Sequence, residues 1–321
     1  MKRVASLRSH RFWSVCGGLL VCVTILLVGT FVFAAARAPS VRDLAARVAN
    51  FDRSHSAVAV PLSAVAPSAR EAIVATEDER FYQNGGVDLI ALVRAIPFDL
   101  SHFSLAQGAS TIPEQLAKII YLSGNDHSPS RKSEDIVLGY RLGHGYSHER
   151  LLAAYLNTVY LGDGQYGIEN ASRHYFGRSA RDLSVDQASL LMGLAQAPSL
   201  YDPRTDPSAA RARQVQVLQS MVRNGYITES EASATIARPL RLANGAIVTP
   251  LRLSPETFAV PAPFDVVELV AAIVMFALAL LVFALGRLFP RPLLRQRAAR
   301  VAWSLLLLIS ALTAAHSVQV L

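Results

Sequence analysis

Three short blocks of this chain hold the residue types that move protons and grip phosphate. The first is Glu77-Asp78-Glu79-Arg80-Phe81-Tyr82-Gln83-Asn84-Gly85-Gly86, which follows an apolar helical stretch and ends at a Gly-Gly stop. On a helix Glu77 and Phe81 are four apart and share a face. An acid beside apolar surface has its charged form disfavoured, which moves its pKa toward the range of a useful general base. By itself the block also reads as a solvated, charged helix end. The second is Gln107-Gly108-Ala-Ser110-Thr111-Ile-Pro113-Glu114-Gln115-Leu-Ala-Lys118. Gly108 and Ser110 mark a tight turn, and Pro113 suits the first helical turn. Thr111, Gln115 and Lys118 then project along one side of the helix. Hydroxyl, amide and ammonium groups so placed can hold a phosphate at a helix N-terminus; an ordinary capped amphipathic helix is the other reading.

The third block is Arg131-Lys132-Ser133-Glu134. Arg131 and Glu134 are three apart on a helix and can pair, which alone is a surface ion pair of under ~1 kcal/mol. Its functional reading is a phosphate-binding cation and a second carboxylate facing Glu77, the two groups that transfer at an anomeric carbon commonly employs. Only three lysines occur (Lys2, Lys118, Lys132) among 31 basic residues, so a lysine at Lys118 points to a site wanting a compact ammonium. A fourth stretch, with Tyr155-Leu-Asn157, Tyr160 to Gly167 and Tyr175-Phe176-Gly177, reads as packing that positions the others.

The elements that must position these blocks are mostly helical. Apolar positions recur at helical spacing in Val185–Leu194 and Ala209–Val222. Gly225 closes one helix and Thr228 caps the next. Residues 37–57 read as a juxtamembrane linker, 58–237 as the main domain, and 238–265 as a Pro-rich linker. Hydrophobic residues make up 52% of the 321, and they are concentrated. No Asp, Glu, Lys or Arg occurs in Phe12–Ala36, Leu269–Gly286 or Val301–Leu321. Each run reaches the about 18–20 apolar residues that cross a bilayer as a helix. The expected layout is a basic start and first span over 1–36, a second span over 266–286, a basic loop over 287–300 and a third span over 301–321.

The net charge of +7 follows the same layout. Lys2, Arg3, Arg8 and Arg11 precede the first span, and Arg287, Arg291, Arg295, Arg297 and Arg300 lie between the other two. Setting those nine aside leaves 22 basic residues against 24 acidic ones, so a basic nucleic-acid footprint is absent. Both basic segments would face the cytoplasm, and 37 to about 264 the outside. Cys16 and Cys22 both fall in the first span, which leaves the large middle region without thiol chemistry.

Taken in order, the blocks resemble the bacterial peptidoglycan glycosyltransferases, glycosyltransferase family 51. The pattern Glu-Asp-x-x-Phe-x-x-His-x-Gly is matched by Glu77, Asp78, Phe81 and Gly86. Gly-x-Ser-Thr-x-x-x-Gln-x-x-Lys is matched by Gly108, Ser110, Thr111, Gln115 and Lys118. Arg-Lys-x-x-Glu resembles the stretch with Arg131, Lys132 and Glu134, where the Glu comes one residue sooner. The resemblance covers about residues 58–237. It implies a mainly α, lysozyme-like glycosyltransferase domain, here with one N-terminal and two C-terminal transmembrane helices, and Val87 to Ala106 dipping into lipid headgroups. It implies lipid II as substrate and a β-1,4 glycan on undecaprenyl pyrophosphate as product. Glu77 would deprotonate the acceptor 4-hydroxyl. Glu134, Lys118 and Arg131 would bind the donor pyrophosphate and assist its departure, Glu134 through a divalent metal where one is used. Asp78, Phe81, Asn84, Ser110, Thr111, Gln115 and Lys132 complete the substrate-binding set. No cofactor is required beyond that open question of Mg2+ or Mn2+. The implied partners are lipid II, the nascent glycan chain, the bacterial inner membrane and other wall-synthesis proteins, with no nucleic acid.

The chain departs from the pattern in several places. The family His becomes Asn84, the usual Thr-Gln becomes Pro113-Glu114, the Asn after Lys118 becomes Ile119, and a Lys-x-x-Ile-Leu-Glu block becomes His148 to Ala153. These leave open a catalytically weak relative that binds lipid II or scaffolds a wall-synthesis complex, and a lysozyme-like hydrolase. A penicillin-binding transpeptidase needs a Ser-x-x-Lys nucleophile, which the sequence lacks, so glycan polymerisation without cross-linking is expected.

Overall fold

The structure, a computed structural model, describes residues 25–26, 29–92, 110–122, 129–251, 253 and 255–258. The chain divides into a unit of Met1–Leu27 with Pro261–Leu321 and a unit of Val28–Val260. The first lies almost wholly outside the described residues, as do the second and third expected spans and most of the first. Among the described residues no helix is long and apolar enough to cross a membrane. Residues 29–37, the end of the first apolar run, are helical.

The second unit is mainly helical. Its helices are α1 (Leu44–His55), α2 (Pro67–Glu77), α3 (Ile112–Ile120), α4 (Pro129–Gly145), α5 (His148–Thr158), α6 (Ile168–Phe176), α7 (Val185–Gly193), α8 (Pro207–Arg223) and α9 (Glu229–Ile236). A two-stranded antiparallel ribbon follows, β1 (Leu240–Arg241) with β2 (Ile247–Val248), Leu240 opposite Val248. Helix starts follow local chemistry: Pro67 and Pro113 lie in first turns, Thr111, Ser147 and Asp206 accept from their own first-turn amides, and Thr228 with Glu231 forms a capping box. Gly225 adopts φ +72°, ending α8's turn as the sequence suggests.

Packing sorts the helices into two groups. α2 lies against α7 and α8, while α3 lies against α4 and α5. One apolar core runs through both, including Ile73, Phe81, Leu116, Leu138, Leu152, Leu191 and Leu218.

Two expected linkers turn out to be structured. Within 37–57 the chain forms α1, which packs on α5 and α3. Tyr121 and Tyr146 each donate a hydroxyl hydrogen bond to the Val41 carbonyl (3.1 and 2.6 Å), and Arg141 donates to the carbonyls of Ala35, Ala38 and Pro39. Beyond 237 the fold continues through Phe258. Leu240, Leu242, Val248 and Phe258 are buried, and the Arg211 guanidinium, itself buried, donates to the carbonyls of Arg238, Val248 and Thr249. Strands of two residues carry no readable period, so only tertiary burial reveals them.

Candidate active site

Glu77 is the last residue of α2, and the helix stops there because Asp78 leaves helical geometry (φ −158°, ψ 75°). The expected shared face of Glu77 and Phe81 is therefore not formed. Phe81 turns into the core, fully buried, with its ring edge-on to Tyr82 and His148. It packs the site rather than lining it.

The Glu77 carboxylate is reached from two other helices, with a third behind them. Gln115 on α3 donates its amide nitrogen to Glu77 Oε2 (2.9 Å), and the Arg213 guanidinium on α8 lies 3.6 Å from Oε1. Tyr155 on α5 donates its hydroxyl to Gln115 Oε1 (2.7 Å). Glu77 thus sits where the two helical groups meet. Burial pushes its pKa above the ordinary value, and the Gln115 hydrogen bond and the Arg213 charge oppose that rise. A carboxyl so balanced is suited to taking a proton. Arg213 was not singled out in the sequence, and Tyr155 was read there only as packing that positions the other blocks. Arg213 looks like any arginine of an amphipathic helix, and its exposure of only 8% is a tertiary fact.

Asp78 is a structural hub. Its carboxylate accepts from the Ile112 amide (3.0 Å) and from the Asn84 side chain (2.8 Å), tying the loop after α2 to the start of α3. Burial raises its pKa to about 7; those two bonds oppose the rise, and the Asp88 and Glu114 charges add to it. Asn84, standing where the family has His, also accepts from the Gly86 amide (3.0 Å). A neutral bridging amide fills that position here without need of a charge. Thr111 caps α3 and donates to the Gly86 carbonyl (2.7 Å) with its side chain buried. Asp78, Asn84 and Thr111 accordingly hold the site's frame through these bonds.

On α4 the structure rearranges the expected phosphate group. Lys132 donates to Ser110 Oγ (2.8 Å) and to Glu114 Oε2 (2.7 Å), and Glu114 is 1% exposed. The unusual Glu114 is thus the partner of the lysine, and Lys132 and Ser110 satisfy each other. Lys118 is exposed on α3. Asp135, not singled out in the sequence, feels the charges of the three cations. Burial pushes its pKa up, while Lys132, Lys118 and Arg131 pull it down, and Glu134 adds to the rise. Its Oδ1 is buried and accepts no hydrogen bond among the described residues. Counting Arg131-Lys132-x-x-acid lands on Asp135, a signal that the nearer Glu134 obscured.

Glu134 and Asp135 are adjacent, but among the described residues no His, Cys, Asp or Glu joins them in a group able to hold a metal ion. Mg2+ commonly takes one or two carboxylates and fills its octahedron with water and substrate phosphate, so a cation here would be shared with the donor pyrophosphate rather than caged by the protein. Gly108 lies outside the described residues, as do residues 93–106 of the Val87–Ala106 stretch expected to dip into lipid headgroups.

The transglycosylase family matches residues 45–222, from α1 through α8. A Cupriavidus necator protein named as a transglycosylase is 39% identical over 236 residues, covering 72% of this chain and 99% of its own length. Penicillin-binding protein 2a of Streptococcus pneumoniae is 37% identical over 64% of this chain, which spans 29% of that protein. Penicillin-binding protein 1F of Bacillus subtilis is 37% identical over 57% of this chain, which spans 26% of it. With its acid at the end of α2, its amide on α3 and its cations on α4 inside the matched segment, this chain belongs to the transglycosylases of glycosyltransferase family 51.

Proposed function

We propose that this chain polymerises peptidoglycan glycan from lipid II. Glu77 takes the proton from the acceptor sugar 4-hydroxyl as that oxygen attacks the donor's anomeric carbon. The bond from that carbon to the undecaprenyl pyrophosphate oxygen breaks, and the leaving group departs as an anion. Lys118 and Arg131 offset its charge, and Asp135, rather than Glu134, is the carboxylate beside those cations. The observation that carries this reading is the buried Glu77 carboxylate held between Gln115 and Arg213. The charge pattern supports an extracytoplasmic domain anchored in the bacterial inner membrane by the three apolar runs.

A lipid II-binding relative without catalysis is the second reading. It is favoured by the shorter side chain of Asp135 and by the pairing of Lys132 with Glu114, which withdraws one cation from the phosphate set. Purified full-length protein in detergent, given labelled lipid II with and without divalent metal, separates the two. Polymer from the native protein, reduced at least about 100-fold in Glu77→Gln, is expected for a general base. Folded protein that binds lipid II and makes no polymer under either condition selects the second reading.

A further inference from the structure

Gln115 touches Glu77, but a glutamine amide has two faces of opposite character and can present either. With its nitrogen toward Glu77 it stabilises the ionised carboxylate. With its oxygen toward Glu77 it would repel that form and favour the protonated one. Nothing in Gln115 itself chooses. The choice falls to whatever holds the other end of the amide, and that is the hydroxyl of Tyr155.

We propose that Tyr155 is a positioning residue that fixes the Gln115 amide with its nitrogen toward Glu77, keeping Glu77 ready to accept a proton. Tyr155 is fully buried, and its hydroxyl makes no other hydrogen bond among the described residues. Burial first, and the nearby Glu77 charge second, hold its pKa well above the ordinary value, so the hydroxyl keeps its proton at any working pH. A buried O–H needs an acceptor, and Gln115 Oε1 at 2.7 Å is the one in place. Flipping the amide would set a second donor against that O–H and leave it without an acceptor. The preference passes along the chain Tyr155, Gln115, Glu77, each residue on a different helix. The other charged group facing Glu77 is Arg213 at 3.6 Å, and it remains in either amide orientation. The neighbouring Asp78 carboxylate is occupied by Ile112 and Asn84.

This inference rests on reading Glu77 as the base, but its test needs no turnover. The Glu77 carboxyl is titrated by infrared difference spectroscopy on full-length protein in detergent, its band assigned by loss in Glu77→Gln. In Tyr155→Phe the midpoint should rise by about one pH unit, a tenfold gain in proton affinity, because the released amide can turn its oxygen to accept from the protonated carboxyl. Gln115→Ala should raise it similarly, and Tyr155→Phe added to Gln115→Ala should raise it no further. The acid limb of the polymerisation rate should move with the titration while the KM for lipid II holds. An unmoved midpoint in folded Tyr155→Phe, or a shift that persists in the Gln115→Ala background, overturns the proposal. Should Tyr155→Phe not fold, the native Gln115 side-chain amide resonance, assigned with Gln115→Leu, still decides. It must titrate with the Glu77 midpoint, and an amide blind to Glu77 refutes the chain. A native protein that polymerises nothing, yet shows the Tyr155→Phe shift, refutes the catalytic reading of Glu77 and supports the placement of Tyr155.

Discussion

Adjacent acids on α4 face different company. Asp135 lies among Lys132, Lys118 and Arg131, and Glu134 raises its pKa through charge alone. Under the proposed reaction, Asp135→Asn should lower kcat by about 100-fold, since it releases the cations that meet the leaving group. Glu134→Gln should stay within about threefold of the native rate, measured on the same lipid II assay. Asp78 supports a different kind of prediction. Its pKa is about 7 in the folded protein, above the 3.8 of an unperturbed Asp. The folded state therefore binds more protons than the unfolded state between those values. Stability from this group is full below pH 4 and is lost as pH rises through about 7. Thermal unfolding followed from pH 5 to 8 should show a falling melting temperature in the native protein and a flatter profile in Asp78→Asn.

At the scale of elements, three glycines decide how closely the loop after α2 approaches α4. A Cβ at Gly143 would lie 2.3 Å from the Gly85 carbonyl oxygen, and one at Gly139 would lie 2.6 Å from Glu114 Cγ. Gly86 has φ +95°, and its Cβ would meet the Gly139 carbonyl oxygen at 2.1 Å. Helix propensity alone favours alanine over glycine inside α4 by about 1 kcal/mol. The backbone collision outweighs it, so Gly143→Ala should destabilise by about 2–4 kcal/mol in denaturant unfolding. Gly225→Ala is the control: it also has positive φ, but nothing lies within 4 Å of its Cβ, so its cost should stay near about 1 kcal/mol. A G143A variant as stable as the native protein would mean that α4 can move away and that the close approach is not required.

Across the whole molecule, Arg211 joins α8 to the C-terminal ribbon. It is 1% exposed and donates to three carbonyls and to the Gln214 side chain. Arg211→Met removes those donors and leaves buried carbonyls unpaired, a loss of about 3 kcal/mol or more by chemical unfolding. The ribbon also shows where the sequence stops being legible. The helix start at Thr228 was readable because a cap is a contact within three residues. The ordered motif blocks gave the family, the helical class and Glu77 as the acid to test. What the sequence withheld were contacts between residues far apart along the chain. These include Arg213 with Glu77, Glu114 with Lys132, and the burial of Phe81, Thr111, Leu240, Val248 and Phe258. A residue's type and spacing set what it can donate, accept or bury, and so determined the chemistry available to this protein. Which donor meets which acceptor, and which acid loses its water, depends on where distant helices come to lie, and that was decided only by the packed fold.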